Sequence, residues 1–167
     1  NCNGAFRKKH HHLDSFSADL WVIQEAENPR ESTVAYRKAV GPNHLWHGDN
    51  KNKGILIVSF SNEPLIPLDW PNPENLESFL PFAYKNQVFI AVWTKQANSP
   101  TFGYIGQLWK YLKHNFDLFK RHSPVLIGDF NSNVFWDRWD RWWNHSDVVR
   151  ILGNIGISSL YHHQFNE

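Results

Sequence analysis

The chain has 167 residues and a hydrophobic content of 41%, enough for one domain with a buried core. Its formal net charge of +1 excludes the broad basic surface through which proteins bind polyanions non-specifically. No apolar run approaches the about 20 residues that cross a bilayer, no secretory signal is visible, and the single cysteine, Cys2, has no internal disulfide partner. We therefore expect a single cytoplasmic domain over residues 1–167 that does not bind membranes.

Hydrophobic periodicity divides the first half of the chain into one short helix and several strands. Phe6–Phe16 reads as a short amphipathic helix with Leu13 and Phe16 on one face. Four prolines between Pro64 and Pro73 exclude regular structure there. The segments that read as strands are Asp19–Ala26, His44–His47 and Gly54–Phe60, and Pro29–Pro42 reads as a loop with one helical turn.

The second half of the chain alternates strands with longer helices. Val88–Thr94 has strand character, and Tyr104–His122 is the strongest helix because its apolar residues recur at the 3.6-residue period. Asn144 can cap a last helix, which Gly156 can end. Strands that alternate with helices and with one another, at hairpin-compatible spacings, predict an α/β or α+β sandwich.

A short apolar strand late in the chain ends in an Asp and an amide, Asp129 and Asn131. Because side chains alternate along a strand, these two residues are expected to face the same way. An earlier strand ends at Glu25, and the start of the chain supplies Asn1 and Asn3. These are hard oxygen ligands and hydrogen-bond donors, the chemistry of a magnesium-type site for a phosphate ester. Taken singly, each motif is more typical of an ordinary turn or a solvated strand end than of a metal site.

Four motifs follow one another in a definite order: Asn1–Gly4, Leu20–Glu25, Lys53–Val58 and Leu126–Ser132. Together they resemble the motifs of the endonuclease/exonuclease/phosphatase superfamily, which includes exonuclease III and the apurinic endonucleases. The resemblance covers nearly the whole chain. It implies a four-layer α/β sandwich with two central mixed or antiparallel sheets, and hydrolysis of a phosphate ester with the help of Mg²⁺ or Mn²⁺.

The resemblance also implies roles for individual residues. Glu25 is similar to the principal metal carboxylate and Asn1 to the amide that supports the metal site, with Asn3 at a second position beside the metal. Asp129 resembles the residue that orients the attacking water, and Asn131 the amide that holds a phosphate oxygen or the nucleophile. Since an Asp with an ordinary pKa of about 4 is a weak base at neutral pH, orientation of water is the better description of the role of Asp129.

Two features depart from the pattern of the superfamily. A late segment of the family supplies an Asp and a His, and here Tyr161–Glu167 reads only as the approach to it. The chain also lacks methionine and opens at Asn1 inside what reads as the end of a strand, so we expect the domain to be incomplete at both termini. The absence of the Asp–His pair leaves open whether these 167 residues alone are active, although we expect the protein to be an enzyme. Trp93 and Thr94 stand where many nucleases carry a Tyr, which argues against apurinic-site cleavage as a specific activity.

A set of residues near the predicted site is expected to contact substrate. The segment Trp136–Trp143 fits two interpretations equally well: a lip on which bases stack while Arg138 or Arg141 meets phosphate, and a locally packed surface with ion pairs. The predicted substrate-binding residues are Asn3, Trp93, Thr94, Asn133 and Trp136.

The sequence therefore predicts a metal-dependent phosphodiesterase of nuclease type in which water attacks the phosphorus in line. The substrate is a phosphate ester, either a small phosphodiester or a single-stranded or damaged DNA end, because near-neutral charge disfavours tight duplex binding. The alternative is a non-catalytic module on the same fold that binds nucleic acid or protein through the Trp-rich segment. A lipid phosphodiesterase is a third option, although it would usually need exposed apolar loops or an anchor.

Overall fold

A computed structural model describes residues 1–76, 78–96, 99 and 101–165, which form two compact units. Unit 1 contains residues 1–70, 78–93 and 125–129, and unit 2 contains residues 71–76, 94–96, 99, 101–124 and 130–165. The strands are β1 (Leu20–Ala26), β2 (His44–Asn50), β3 (Lys53–Ser59), β4 (Ile66–Pro67), β5 (Phe79–Tyr84), β6 (Gln87–Trp93) and β7 (Val125–Asp129). The α-helices are α1 (Val34–Val40), α2 (Ile105–His114), α3 (Phe116–His122), α4 (His145–Gly153) and α5 (Leu160–Phe165).

Both sheets of the described chain belong to unit 1. The first is antiparallel with the order β1-β3-β2, and the second has the order β4-β5-β6-β7, in which only β6 and β7 pair in parallel. Parallel neighbours need a long crossover, and the chain between β6 and β7 contains α2 and α3. The parallel register places Asp129, at the end of β7, opposite Trp93, at the end of β6.

The core of unit 1 has two parts, one on each face of β3. One part lies between the first sheet and the segments that contain Phe6, Tyr36 and Val40, and the other lies between the two sheets, where Ile55 and Ile57 meet Phe82 and Ala91. Because both faces of β3 are covered, its residues from Gly54 onward are all buried, and its sequence is a continuous apolar run. The two central sheets with helical segments confirm the predicted α/β sandwich.

Unit 2 is mainly helical. The predicted helix Tyr104–His122 is two helices, because Asn115 separates α2 from α3 and donates hydrogen bonds to the carbonyls of Pro71 (2.9 Å) and Tyr111 (3.0 Å). Helix α4 begins as predicted after Asn144, whose backbone N–H donates to the Asp147 carboxylate (3.0 Å).

Three other local predictions need correction. Phe6–Phe16 is not an amphipathic α-helix but two short 3₁₀ helices, Phe6–Lys8 and His10–Leu13. The proline-rich segment contains the two-residue strand β4, and β5 was not predicted at all. Within the described residues, no helix has the length and apolar character that crossing a bilayer requires.

Candidate active site

Glu25 lies at an irregularity in β1. The pairing of β1 with β3 is regular up to Gln24 and resumes at Ala26, so Glu25 is the extra residue of a β-bulge. Its φ of 64° lies in the left-handed region, which costs a non-glycine residue about 1–3 kcal/mol. The bulge removes Glu25 from the ladder and directs its side chain away from the regular alternation of the strand.

The Asn1 side chain joins Glu25 to Asp129. Its Nδ2 donates to Glu25 Oε1 at 2.9 Å and to Asp129 Oδ2 at 2.7 Å, while its Oδ1 accepts from the backbone N–H of Asn3 at 2.9 Å. Three residues from distant parts of the chain, all within unit 1, therefore share one cluster of oxygen atoms. One amide that donates to both carboxylates holds two like charges close together.

Lys53, the first residue of β3, supplies the positive charge of this cluster. Its Nζ lies 2.5 Å from Glu25 Oε2, so each Glu25 oxygen has a hydrogen-bond donor. Partial burial raises the pKa of Glu25, but the hydrogen bonds from Lys53 and Asn1 together outweigh that effect and lower the pKa below its ordinary value. Glu25 is therefore an anion throughout the neutral range.

Asp129 reaches the cluster because β7 approaches its neighbours closely at Gly128. A Cβ at Gly128 would lie 1.9 Å from the Val92 carbonyl oxygen and 2.9 Å from Gln24 Nε2, and φ is 147°. Only glycine fits this position without a backbone shift. The residue immediately before Asp129 thus determines how close the end of β7 comes to β6 and to Gln24 on β1.

Asn131 belongs to unit 2, together with Thr94. Strand β7 ends at Asp129 and Asn131 has a φ of 42°, so the two-residue alternation that predicted a common direction does not extend to Asn131. Its Nδ2 donates to the Thr94 carbonyl at 2.8 Å. The Thr94 hydroxyl donates to the carbonyl of Phe130, and its side chain is fully buried. Thr94 therefore positions the Asn131 turn and does not offer a surface to substrate.

The other predicted substrate-binding residues differ in exposure. Asn3 is exposed in a turn with a φ of 51°. Trp93 is half-buried and packs against the core between the two sheets. In unit 2, Asn133 is exposed and its side chain accepts from the Phe135 backbone N–H (3.0 Å), which starts a short 3₁₀ helix that contains the exposed Trp136.

The cluster in unit 1 has the donor chemistry of a hard divalent cation. The described residues contain no group of three His, Cys, Asp or Glu side chains arranged to hold a metal ion. Mg²⁺ does not need such a group, since it keeps several waters and binds through one or two carboxylates. Glu25 and Asp129, with the amide oxygen of Asn1, supply the hard oxygen donors that such a cation prefers.

Sequence reasoning did not assign roles to Lys53 and Gly128, although both lie in the motifs that carried the resemblance. The sequence does contain a signal for Lys53, because this Lys directly precedes a buried apolar run. A positive charge in that position needs an anionic neighbour or water. Gln24, the residue before Glu25 in β1, is buried, and its Nε2 has no hydrogen-bond partner among the described residues.

No model of a known protein family matches the sequence, and no curated protein matches it significantly. Solved structures do match. A 3'-5' exonuclease, NExo, from Neisseria meningitidis aligns with a TM-score of 0.62 and 20% identity over 90% of this chain and 66% of that enzyme. A structure of NExo described as a 3' phosphatase, bound to a product DNA hairpin, aligns with a TM-score of 0.60, 20% identity and the same coverage.

An AP endonuclease from Archaeoglobus fulgidus also aligns, with a TM-score of 0.56 and 18% identity over 87% of this chain and 62% of that enzyme. These neighbours are exonuclease III-like members of the endonuclease/exonuclease/phosphatase superfamily, so the predicted resemblance is confirmed at the level of the fold. The chain spans about two thirds of the length of the enzymes that it matches.

Proposed function

We propose that this protein is a divalent-metal-dependent phosphoesterase that hydrolyses a phosphodiester in the manner of a nuclease. The observation that carries the proposal is the junction at Asn1, whose amide holds the carboxylates of Glu25 and Asp129 together at 2.9 and 2.7 Å. Two carboxylates in one small cluster repel each other, and the strained bulge at Glu25 adds to that cost. Such an arrangement is typical of a site that binds a cation.

Glu25 is the proposed principal ligand of Mg²⁺ or Mn²⁺, and Asn1 keeps its carboxylate in place. The metal would supply Lewis acidity that stabilises negative charge on the phosphate oxygens. Lys53 lowers the pKa of Glu25, and because its side chain is half-exposed it can move to a substrate phosphate once the Glu25 carboxylate binds a cation. Lys53 thus joins the site residues predicted from the sequence.

Asp129 is proposed to orient the water that attacks the phosphorus opposite the leaving oxygen. Asn1 holds the Asp129 carboxylate through Oδ2 at 2.7 Å, and a carboxylate fixed in this way can orient a water through a hydrogen bond. Asn131 is proposed to hold a phosphate oxygen or the nucleophile, as the motif resemblance implies. The substrate class is nucleic acid with an unpaired or damaged end, an assignment supported by the DNA-processing enzymes that share the fold.

The test is hydrolysis of a generic phosphodiester and of single-stranded DNA by the full-length protein, with Mg²⁺ titrated and then removed with EDTA. We expect Glu25→Gln to lower turnover by at least about 100-fold, since it removes a metal carboxylate while keeping nearly the same side-chain size. The matched control is Glu63→Gln, because Glu63 is an exposed carboxylate of the same unit whose side chain has no hydrogen-bond partner among the described residues. Equal turnover by Glu25→Gln and the wild type would refute the mechanism.

A non-catalytic binding module on the same fold is the second candidate. The observation in its favour is that Lys53 and Asn1 already give both Glu25 oxygens a partner, so the cluster is stable without a cation. In that case DNA would bind without hydrolysis, Mg²⁺ would not raise its affinity, and Glu25→Gln would have no effect on either measurement.

A further inference from the structure

Four large aromatic side chains are exposed in one loop of unit 2. This aromatic loop, residues 135–142, begins shortly after the Asn131 turn and precedes α4. Burying an aromatic ring removes a large apolar area from water, so a soluble protein gains nothing by exposing several in succession. The exposed fractions are 89% for Phe135, 61% for Trp136, 98% for Trp139 and 63% for Trp142.

The aromatic loop is held in a fixed shape by its own polar framework. The buried side chain of Asn144 donates to the carbonyls of Arg138 (2.9 Å) and Arg141 (2.8 Å) and accepts from the backbone N–H of Arg138 (2.9 Å). The Asp137 carboxylate accepts from the backbone N–H groups of His145 (2.8 Å) and Ser146 (3.2 Å) at the start of α4. The exposed rings therefore belong to a loop whose backbone conformation is fixed by hydrogen bonds.

Packing explains only one end of the Trp-rich segment. Trp143 is buried against Phe102, with ring centroids 4.5 Å apart, and Trp142 meets Trp143 edge-on at 4.9 Å. Neither Trp136 nor Trp139 contacts another aromatic ring among the residues that the structure describes. The local-packing interpretation thus holds for Trp143, whereas the rings of Trp136 and Trp139 are available for a ligand.

An open cavity of about 320 Å³ lies at the same loop, lined by Phe135, Trp136, Asp137, Arg138 and Arg141. The Arg141 side chain is used within the loop, since it donates to the Trp136 carbonyl and to Asn144 Oδ1. The guanidinium of Arg138 makes no hydrogen bond or ion pair with any described residue, and it is exposed. A cation without a partner next to flat aromatic faces is complementary to a ligand that carries planar rings and negative charge.

We propose that the aromatic loop binds unpaired bases of single-stranded nucleic acid, which stack on Trp136 and Trp139 while Arg138 contacts an adjoining phosphate. This inference rests on the proposed function, because it names the form of substrate that the hydrolytic site would receive. Paired bases hide their faces inside a duplex, so stacking selects an unpaired end.

A membrane surface is the competing occupant of an exposed aromatic loop. The exposed carboxylate of Asp140 lies between Trp139 and Arg141 in the sequence, and inserting the loop into lipid would remove that charge from water. Stacking uses the ring faces alone and leaves Asp140 solvated, which favours nucleic acid.

The test is equilibrium binding of the full-length protein to two labelled single-stranded oligonucleotides of equal length, in EDTA so that turnover does not interfere. One carries bases throughout, and the other has abasic sites throughout and so keeps only the phosphates. We expect Trp139→Ala to weaken binding of the first about 5- to 150-fold and binding of the second less than about 2-fold. Arg138→Gln should weaken both and reduce the salt dependence by about one phosphate contact.

The matched control is Phe16→Ala, because Phe16 is a similarly exposed aromatic residue of unit 1 (65%) and its loss should leave both affinities unchanged. The inference is overturned if Trp139→Ala leaves the affinity for the base-containing oligonucleotide unchanged, or if it weakens the affinity for both oligonucleotides equally. It is also overturned if Trp139→Ala abolishes binding to phosphatidylserine vesicles and leaves oligonucleotide binding unchanged. Glu25→Gln should bind the base-containing oligonucleotide in EDTA as tightly as the wild type does, but it should lose hydrolysis in Mg²⁺. If binding depends on Trp139 but the wild type hydrolyses nothing in Mg²⁺, the proposed function is refuted and base stacking on the aromatic loop is supported.

Discussion

Gly128→Ala is expected to disturb the candidate site and the stability of unit 1 together. The added Cβ would lie 1.9 Å from the carbonyl oxygen of Val92, which belongs to the backbone of β6 and cannot rotate away. The nearest side-chain atom, Gln24 Nε2 at 2.9 Å, is buried and has little room to move. Strand β7 must therefore shift by about 1 Å or more relative to β6, and Asp129 shifts with it.

Two costs add up at this position. A φ of 147° is unfavourable for an L side chain by about 1–3 kcal/mol, and overpacking against a rigid backbone costs about 1–3 kcal/mol more. We expect a loss of about 2–6 kcal/mol in the free energy of unfolding, a large part of the stability of an ordinary domain.

Urea denaturation followed by circular dichroism measures the loss. The matched control is Gly153→Ala at the end of α4, where a Cβ meets nothing within 4 Å, and we expect it to change stability by less than about 1 kcal/mol, toward greater stability. If Gly128→Ala unfolds within about 0.5 kcal/mol of the wild type, or keeps full hydrolytic activity, then the close approach of β7 to β6 does not position Asp129.

Two further predictions concern single polar residues. Because the pKa of Glu25 is lowered, its ion pair with Lys53 contributes stability above the unfolded pKa of about 4.3 and loses it as the pH falls through the folded value. Lys53→Gln should therefore cost up to about 1 kcal/mol at pH 7 and progressively less as acid protonates Glu25, measured by urea midpoints from pH 7 downward, and a cost that does not change with pH would contradict the assignment. Asn144→Ala removes four hydrogen bonds between this side chain and the aromatic loop, and it should cost about 2–4 kcal/mol in thermal or urea unfolding. Asn154→Ala at an exposed helix end should cost under about 0.5 kcal/mol, and similar values for the two variants would mean that Asn144 does not organise the loop.

The sequence predicted the elements whose signals are local. The continuous apolar run of β3, the strand before Glu25 and the cap at Asn144 each follow from neighbouring residues alone, and the structure has all three. Strand β5 was missed because Pro81 argues against a strand. The structure accommodates Pro81 because β4 pairs with β5 only at Ala83 and Phe82, so Pro81 lies past the end of that ladder.

Features that depend on distant contacts could not be predicted. The helical periodicity runs through Asn115 without interruption, and the break there depends on a hydrogen bond to Pro71, more than forty residues earlier. The order of the motifs indicated which residues form the candidate site, and the structure brings Asn1, Glu25 and Asp129 together. The bulge at Glu25 and the ion pair with Lys53 arise from the register between β1 and β3, which no single segment encodes.

In the proposed mechanism, the bulge in β1 favours activity at the expense of stability. Deleting one residue there would restore an unbroken ladder, relieve the strained backbone and improve resistance to heat or urea, but it would also turn the Glu25 carboxylate out of the cluster. Selection for stability alone would therefore favour loss of the bulge. A bulge that is retained in related sequences would indicate selection for the proposed activity.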